Sequence, residues 1–184
     1  MNDPLTFLKT RRSRPQKLLT GPVPDRDALM PLLEIAARVP DHGKLEPWRF
    51  IVLDQAALRS LAAPVRAMAQ AADQDADKAA FQFEKSDLAV VVVEVRKDSP
   101  KIPAIEQTYS AGAACMQLIN AALAAGWGAN WLSGWPSHQR DFCKLLELGD
   151  TEIIAGLIHI GTGPAAMPDR PRPDINTITS WHTP

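Results

Sequence analysis

Apolar residues along the chain occur either in continuous runs or at helical spacing, and the continuous runs predict strands. Residues 88–95 are apolar except for Glu94 and rich in valine, which is typical of a strand buried on both faces at the centre of a sheet. Shorter runs predict three further strands, at residues 50–53, 129–132 and 152–160.

Apolar residues at helical spacing predict the first two helices. An aspartate and a proline at residues 3–4 are typical of an N-cap and a first helical position, so we predict a helix that runs toward the basic residues 11–12. A second helix is predicted over residues 27–39. A start near residue 27 keeps Pro31 close to the first turn, where a proline removes few backbone hydrogen bonds.

Three more helices are predicted further along the chain. The alanine-rich residues 58–72 predict a helix that Pro64 bends or splits, followed by a mobile polar loop over residues 70–78. Residues 103–126 predict a long helix whose many small side chains would let another helix approach closely. Ser137 is predicted to cap the last helix.

The order of strands and helices predicts an α+β or α/β protein. At 184 residues, with no internal repeat and no linker, the chain is expected to form a single domain spanning residues 1–184. The proline-rich stretch from Gly163 onward predicts an extended tail that packs on another surface or is disordered.

The charge balance excludes functions that need a strong overall field. The chain has 20 Lys and Arg residues against 21 Asp and Glu residues, a formal net charge of −1. Such a chain is not expected to bind nucleic acid or an anionic membrane through its global charge. Any site for a phosphorylated ligand must therefore be local.

Cysteine usage and the N-terminus predict a reducing compartment. Cys115 and Cys143 are far apart and lack the spacing of a disulfide framework or a zinc site, so we expect buried thiols and no bound metal. The N-terminus lacks a signal-peptide core, and no apolar run is long enough to span a bilayer. We therefore expect a cytoplasmic protein.

Two clusters of hydrogen-bond donors are candidates for ligand binding. One is the basic run at residues 9–14, which follows the first predicted helix, and the other is the junction at residues 40–50 between a helix and a strand. Together they indicate one phosphorylated ligand. A solvated basic helix end, which is favourable against the helix dipole, explains the first cluster equally well.

Three motifs carry a resemblance to a known family. The chain has Arg11-Arg12-Ser13 near its start, Pro47-Trp48-Arg49-Phe50 at the junction, and Trp131-Leu132-Ser133 later. In these it resembles the FMN-dependent nitroreductase family, particularly its smallest members. The resemblance implies an α+β fold with a mixed central sheet flanked by helices in three α/β/α layers. It also implies a homodimer with two FMN molecules at the interface.

The same resemblance assigns individual residues to the cofactors. It implies that FMN is bound by Arg11, Arg12 and Ser13 of one subunit, by Arg38 and His42 of the partner subunit, and by Trp131, Leu132 and Ser133 along the ring. It implies nicotinamide dinucleotide contacts along Ala121, Ala122, Leu123, Ala124, Ala125 and Gly126. A small-residue helix face that serves packing explains this last segment equally well.

The chain departs from the family pattern in two places. Many relatives carry Asn and Gln in the junction where this chain has Lys44 and Glu46, which puts contacts with the flavin ring and the substrate in question. Larger relatives place phosphate-binding basic residues where Arg170 and Arg172 lie, but the surrounding sequence favours a solvated tail.

The sequence motifs of other enzyme classes are absent from the chain. The fragments Gly126-x-Gly128 and Gly161-Thr162-Gly163 have no third glycine opening a helix, so a Rossmann dinucleotide site is not expected. No Gly-x-Ser-x-Gly elbow is present and the histidines are scattered, which argues against a hydrolase. His159 lies in an apolar strand and is predicted to be a buried, hydrogen-bonded histidine.

The expected reaction is hydride transfer from NADH or NADPH through FMN to a nitroaromatic, quinone or related acceptor, with no side-chain nucleophile. Arg14 or Lys17 would place positive charge near the pyrimidine edge of the ring. One alternative is a non-catalytic flavin-binding or redox-sensing protein. Another is a small polyanion-binding module built on residues 9–14, against which the near-zero net charge counts.

Overall fold

The computed structural model describes residues 3–183 and is built around a four-stranded sheet. The strands are β1 (Trp48–Asp54), β2 (Leu88–Val95), β3 (Gly128–Leu132) and β4 (Glu152–Gly161), in the spatial order β1-β2-β4-β3. The four predicted strands are confirmed, with small differences at their ends. Strand β2 has an inner position and is buried over nearly its whole length, as its valine-rich run predicted.

Residues 3–183 contain six helices, of which five cover the two faces of the sheet. The six helices are α1 (Pro4–Thr10), α2 (Arg26–Ala36), α3 (Gln55–Ala71), α4 (Ala76–Lys85), α5 (Ala104–Ala124) and α6 (Arg140–Leu145). Helices α3, α4 and α6 enclose one apolar core with one face of the sheet, and α2 and α5 enclose the other. The α+β class and the three α/β/α layers are confirmed.

All three strand pairings are antiparallel, whereas we had predicted a mixed sheet. The mixed sheet was an implication of the family resemblance. The antiparallel pairing of β1 and β2 follows from α4, whose first residues the sequence interpretation placed in a polar loop. The Asp75 carboxylate caps α4 by accepting from the backbone N–H of Lys78 at 2.9 Å. Two antiparallel helices, α3 and α4, return the chain to the end of the sheet where β1 finished. Strand β2 therefore runs antiparallel to β1.

The helix boundaries required three further corrections. Helix α3 is continuous through Pro64 rather than split, and α2 accommodates Pro31 in its interior. Ser137 does not cap α6, because it lies in a separate 3-10 turn at Trp135–His138 and the N-cap residue of α6 is Gln139. The hydroxyl of Ser137 is buried with no hydrogen-bond partner among the described residues.

Both cysteine side chains are buried and unpaired, as predicted. Burial raises the pKa of the Cys115 thiol to about 12, which keeps this thiol protonated and unreactive at neutral pH. Within residues 3–183, no helix is both long enough and apolar enough to cross a membrane.

The segment after α1 lies against the edge strand β3 and the end of β4. The backbone N–H of Arg14 donates to the carbonyl of Ala129 at 2.9 Å. A Cβ atom on Gly128 would lie 2.6 Å from Cδ2 of Leu19, and one on Gly161 would lie 2.8 Å from the carbonyl oxygen of Thr20. These glycines therefore serve close packing of the segment against the sheet, which agrees with the absence of a dinucleotide-binding fingerprint.

Gly128→Ala should destabilise the protein by about 1–3 kcal/mol, because the added methyl group overpacks the contact with Leu19. Urea denaturation followed by circular dichroism measures this loss. Gly149→Ala is the matched control, since a Cβ there meets its neighbours only at 3.8–3.9 Å. Equal midpoints for the two variants would contradict the packing argument.

Candidate functional site

Arg11 and Ser13 form a small donor cluster at the end of α1. The N–H of Arg11 caps the helix by donating to the carbonyl of Phe7 at 2.8 Å, and its Nη2 donates to the Ser13 hydroxyl at 3.1 Å. Its Nη1 lies 3.9 Å from the sulfur of Met116 on α5. The Nε atom is buried and has no hydrogen-bond partner among the described residues.

Arg11 is a half-buried cation with cationic neighbours. Burial, followed by the charges of Arg172 and Arg12, lowers the pKa of its guanidinium. No ion pair of Arg11 is found in the part of the chain that the structure describes. A bound anion would stabilise this arrangement, because it would offset both the lost hydration and the repulsion between guanidinium groups.

The proline-rich tail is anchored to this cluster through backbone carbonyls. The guanidinium of Arg14 donates to the carbonyls of Pro164, at 2.8 Å, and Ala165, at 3.1 Å. The guanidinium of Arg12 donates to the carbonyl of Pro168 at 3.2 Å. Although exposed, the first part of the tail is thus docked on the protein, which is the first of the two alternatives predicted for it.

Asp169 ties the tail to the cluster electrostatically. Its carboxylate accepts from Nη2 of Arg172 at 2.8 Å and lies 3.6 Å from Nε of Arg12. The backbone N–H of Arg170 and then the Arg172 side chain lower the pKa of the Asp169 carboxyl. Through Asp169, Arg172 therefore joins the arginines that follow α1. Arg170 contacts the same carboxylate through its backbone N–H.

A cavity of about 440 Å³, here called the arginine cavity, opens beside these residues. It is lined by Arg11, Arg12, Arg14, Leu123, Gly126 and Gly128, with residues 163–167 of the tail on its rim. The structure thus brings the predicted phosphate cluster next to the end of the predicted nicotinamide segment. Ala121 and Ala122 of that segment are instead buried in the core, where they pack against the sheet.

The three predicted ring residues do not share one surface. Side chains alternate along a strand, so Trp131 and Leu132 point to opposite faces of the sheet. The Trp131 indole covers Gly156, where a Cβ atom would collide with it, and lines a cavity that includes Ser137. Ser133 is exposed, and its carbonyl lies 3.2 Å from Nε2 of His138.

Leu132 lines a different cavity of about 480 Å³, here called the Leu132 cavity. Its polar lining includes Gln16 from the turn after α1, and Lys78 and Gln82 from α4. The sequence interpretation missed all three residues. The signal for two of them is the helical spacing of Ala79, Ala80 and Phe83 after the N-cap Asp75, which places Lys78 and Gln82 one turn apart.

A buried hydrogen-bonded network lies beneath the Leu132 cavity. Nε2 of Gln16 lies 2.7 Å from the Ser86 hydroxyl, which lies 2.7 Å from Nδ1 of His159. Nε2 of His159 lies 3.2 Å from Oε1 of Gln82. The prediction that His159 is a buried, hydrogen-bonded histidine is confirmed.

Burial lowers the pKa of His159 to about 4, against an ordinary value of about 6.5. Because the unfolded chain takes up this proton more readily than the folded one, the stabilisation is complete above pH 6.5 and is lost as the pH falls toward 4. The total corresponds to about 3 kcal/mol. Urea denaturation at several pH values should show this loss in the wild type. His159→Leu should flatten the profile over that window, and an unchanged slope in the variant would contradict the assignment.

Arg38 and His42 lie on another part of the surface. Arg38 is exposed just after α2, and Nδ1 of His42 lies 2.6 Å from Oε2 of Glu106 on α5. His42 also lines a cavity of about 340 Å³ that includes Tyr109, a residue that does not line the arginine cavity. Within one chain, the structure therefore does not bring these two residues together with the arginine cluster.

The junction that carries Lys44 and Glu46 has an unusual backbone. Gly43, Lys44 and Glu46 have φ values of 71°, 56° and 48°, a region that non-glycine residues seldom adopt. The Asp41 carboxylate holds this conformation by accepting from the backbone N–H groups of Leu45, at 3.1 Å, and Glu46, at 2.8 Å. Such strain is typical of loops that take part in binding.

Sequence comparisons identify related proteins over most of the chain. The model of the nitroreductase family matches residues 8–162. A Haemophilus influenzae protein provisionally named NAD(P)H nitroreductase is 33% identical over 165 residues, covering 88% of this chain and 89% of that protein. Escherichia coli YdjA, with the same provisional name, is 31% identical over 163 residues, covering 87% of this chain and 88% of that protein.

Solved structures share the fold. A nitroreductase-like family protein from Bacillus cereus superposes with a TM-score of 0.83 at 22% identity, covering 98% of this chain and 96% of that one. A provisionally named nitroreductase of Exiguobacterium sibiricum, solved in complex with FMN, superposes with a TM-score of 0.75 at 22% identity, covering 99% of this chain and 98% of that one. Nitroreductase CinD from Lactococcus lactis, solved with chloramphenicol, superposes with a TM-score of 0.77 at 17% identity, covering 97% of this chain and 99% of that one.

Proposed function

This chain belongs to the nitroreductase family of oxidoreductases, and on that premise we propose that it is an FMN-dependent enzyme that uses NADH or NADPH as reductant. Its acceptor would be a nitroaromatic, a quinone or a related compound. The observation that carries the proposal is Arg11, a half-buried guanidinium with cationic neighbours whose Nε atom has no hydrogen-bond partner within residues 3–183.

The residues around Arg11 fit the phosphate of FMN. A phosphate monoester carries about two negative charges at neutral pH, and guanidinium groups bind it with two parallel hydrogen bonds. Arg11 and Arg12 line the arginine cavity, Ser13 adds a hydroxyl, and Arg172 approaches from the tail. When bound there, FMN would supply the capacity to accept a hydride from a nicotinamide and to pass it to a second substrate.

The Leu132 cavity has the character needed for a flavin ring. Leu132 and Trp135 provide apolar walls, and Gln16, Gln82 and Lys78 provide polar groups. Lys78 would place positive charge near the polar edge of the ring and stabilise negative charge that develops there. It is better placed for this role than Arg14, whose guanidinium is bound to carbonyls of the tail.

A homodimer would complete the site. Helix α5 leaves Ile105, Tyr109 and Met116 exposed on the side away from the sheet, a pattern typical of a surface that a second subunit covers. His42 is paired to the same helix through Glu106. A partner packed along α5 would therefore be able to bring its own Arg38 and His42 to a cofactor bound by Arg11.

Anaerobic stopped-flow reduction tests the proposed activity. The FMN-loaded protein is mixed with NADH or NADPH, the loss of oxidised flavin absorbance is followed, and a nitroaromatic or a quinone is then added. We expect reduction by at least one nicotinamide and reoxidation by the acceptor. Bound flavin that neither nicotinamide reduces would contradict catalysis and favour a flavin-binding or redox-sensing role.

A further inference from the structure

The orientation of two glutamine amides sets the hydrogen-bond direction of the buried network beneath the Leu132 cavity. With Gln16 and Gln82 oriented as in the structure, the Gln16 amide N–H donates to Ser86 Oγ, which directs the Ser86 hydroxyl to donate to Nδ1 of His159 and Nε2–H of His159 to donate to Oε1 of Gln82. Each donor has an acceptor only if the imidazole is neutral and carries its proton on Nε2. Protonation of Nδ1 would leave the Ser86 hydroxyl hydrogen without its acceptor.

This direction determines which polar atom of each glutamine is left to hydrogen-bond with a ligand in the cavity. Gln16 uses its amide nitrogen as the donor to Ser86, so its carbonyl oxygen remains free as an acceptor. Gln82 uses its carbonyl oxygen as the acceptor from His159, so its amide nitrogen remains free as a donor. Both residues line the Leu132 cavity, and a Cβ atom on Gly134 at the same cavity would lie 3.3 Å from Nε2 of Gln82.

We infer that His159 is a positioning residue, which acts through Ser86 and Gln82 to hold one acceptor and one donor at the wall of the Leu132 cavity. This pair matches the imide edge of a flavin, where an N–H donor lies beside carbonyl acceptors. The inference rests on the proposed function, since it needs the ring to occupy the Leu132 cavity. His159 itself is fully buried, so it would act on the ring only through its neighbours.

A protein that holds this acceptor and donor at the imide edge should discriminate between flavins that differ at the imide nitrogen. A flavin whose imide nitrogen is methylated cannot donate to the Gln16 carbonyl and leaves that buried acceptor unpaired. Loss of such a hydrogen bond weakens binding by about tenfold or more. If the network is broken, the glutamine amides can rotate, and part of this discrimination disappears. The methyl group adds the same bulk in every variant. A difference between variants in the preference for FMN over the methylated flavin therefore reports the hydrogen bonds.

The experiment measures dissociation constants for FMN and 3-methyl-FMN by the change in flavin fluorescence. His159→Leu removes the imidazole at similar volume, and Ser86→Ala breaks the network without altering the histidine. Leu157→Val is the matched control, because Leu157 is fully buried on the same face of β4 but has no polar contact. Ser86→Ala alone decides the matter if His159→Leu does not fold.

We expect the wild-type preference for FMN over 3-methyl-FMN to fall about tenfold in His159→Leu and Ser86→Ala, and to stay within about twofold in Leu157→Val. An unchanged preference in the two network variants would overturn the positioning role while leaving FMN binding intact. An equal fall in Leu157→Val would overturn it as well, by showing a general loosening. A wild-type protein that binds neither flavin would instead remove the proposed function itself.

Discussion

Arg11→Ala should weaken FMN binding by about 30- to 1,000-fold, because the guanidinium offers two charge-assisted hydrogen bonds to the phosphate, worth about 2–4 kcal/mol in total. The cofactor-free protein should be no less stable than the wild type. Among the described residues the Arg11 Nε atom has no hydrogen-bond partner, and burial, followed by the charges of Arg172 and Arg12, lowers the pKa of its guanidinium. The two measurements are flavin titration and urea denaturation without flavin.

Lys9→Ala provides the control for this prediction. Lys9 lies in the last turn of α1, is exposed, and carries the same charge as Arg11, but it does not line the arginine cavity. Its replacement should change FMN affinity by about twofold at most, as expected for an exposed charge near the site. Equal losses of affinity in Lys9→Ala and Arg11→Ala would mean that general charge, rather than a built phosphate site, attracts the cofactor.

A mixed dimer of one Arg11→Ala subunit and one His42→Ala subunit should bind FMN at about one site, whereas each pure variant dimer should bind it at neither. The reason is geometric. Within one chain, His42 is paired with Glu106 and lines a different cavity from Arg11, so the two residues can meet at one cofactor only across the subunit interface. Two differently tagged subunits allow the mixed dimer to be purified and its flavin content measured.

Glu106→Gln is the control for the mixed dimer. This variant removes the carboxylate that contacts His42 but keeps the imidazole, so FMN binding should largely persist. A mixed dimer that retains both sites, or neither, would contradict a site shared between subunits. In the first case neither residue would be essential for FMN binding, and in the second the two residues would serve the same site from one chain.

Elements with strong local signals were predictable from the sequence. The N-cap Asp3 and Pro4 begin α1 as expected, and the continuous valine run forms β2. The long helix of small residues is α5, with boundaries at Ala104 and Ala124. In each case one local pattern, a cap or a period, decided the element without help from the rest of the chain.

Helix α4 was missed because its first turn is polar and its buried positions are partly alanines. Ala76, Asp77 and Lys78 resemble a loop when taken alone. The omission concealed Gln82 and Lys78, which line the Leu132 cavity.

The candidate site was predictable only where neighbouring residues form it. Arg11, Arg12 and Ser13 are adjacent in sequence and lie together in the structure. Trp131 and Leu132 are adjacent as well, but a strand points them to opposite faces. The tail is docked through its backbone carbonyls. Because every residue has such a carbonyl, no pattern of residue types predicts the docking.

The central claim is that Arg11 and its neighbours hold FMN, and the absorbance spectrum of the freshly purified protein tests it most directly. The chromophore is released by heat, identified by mass and quantified against the protein concentration. The account predicts a flavin spectrum and about one FMN per chain, restored by added FMN after stripping. A colourless protein that takes up no added FMN would contradict it.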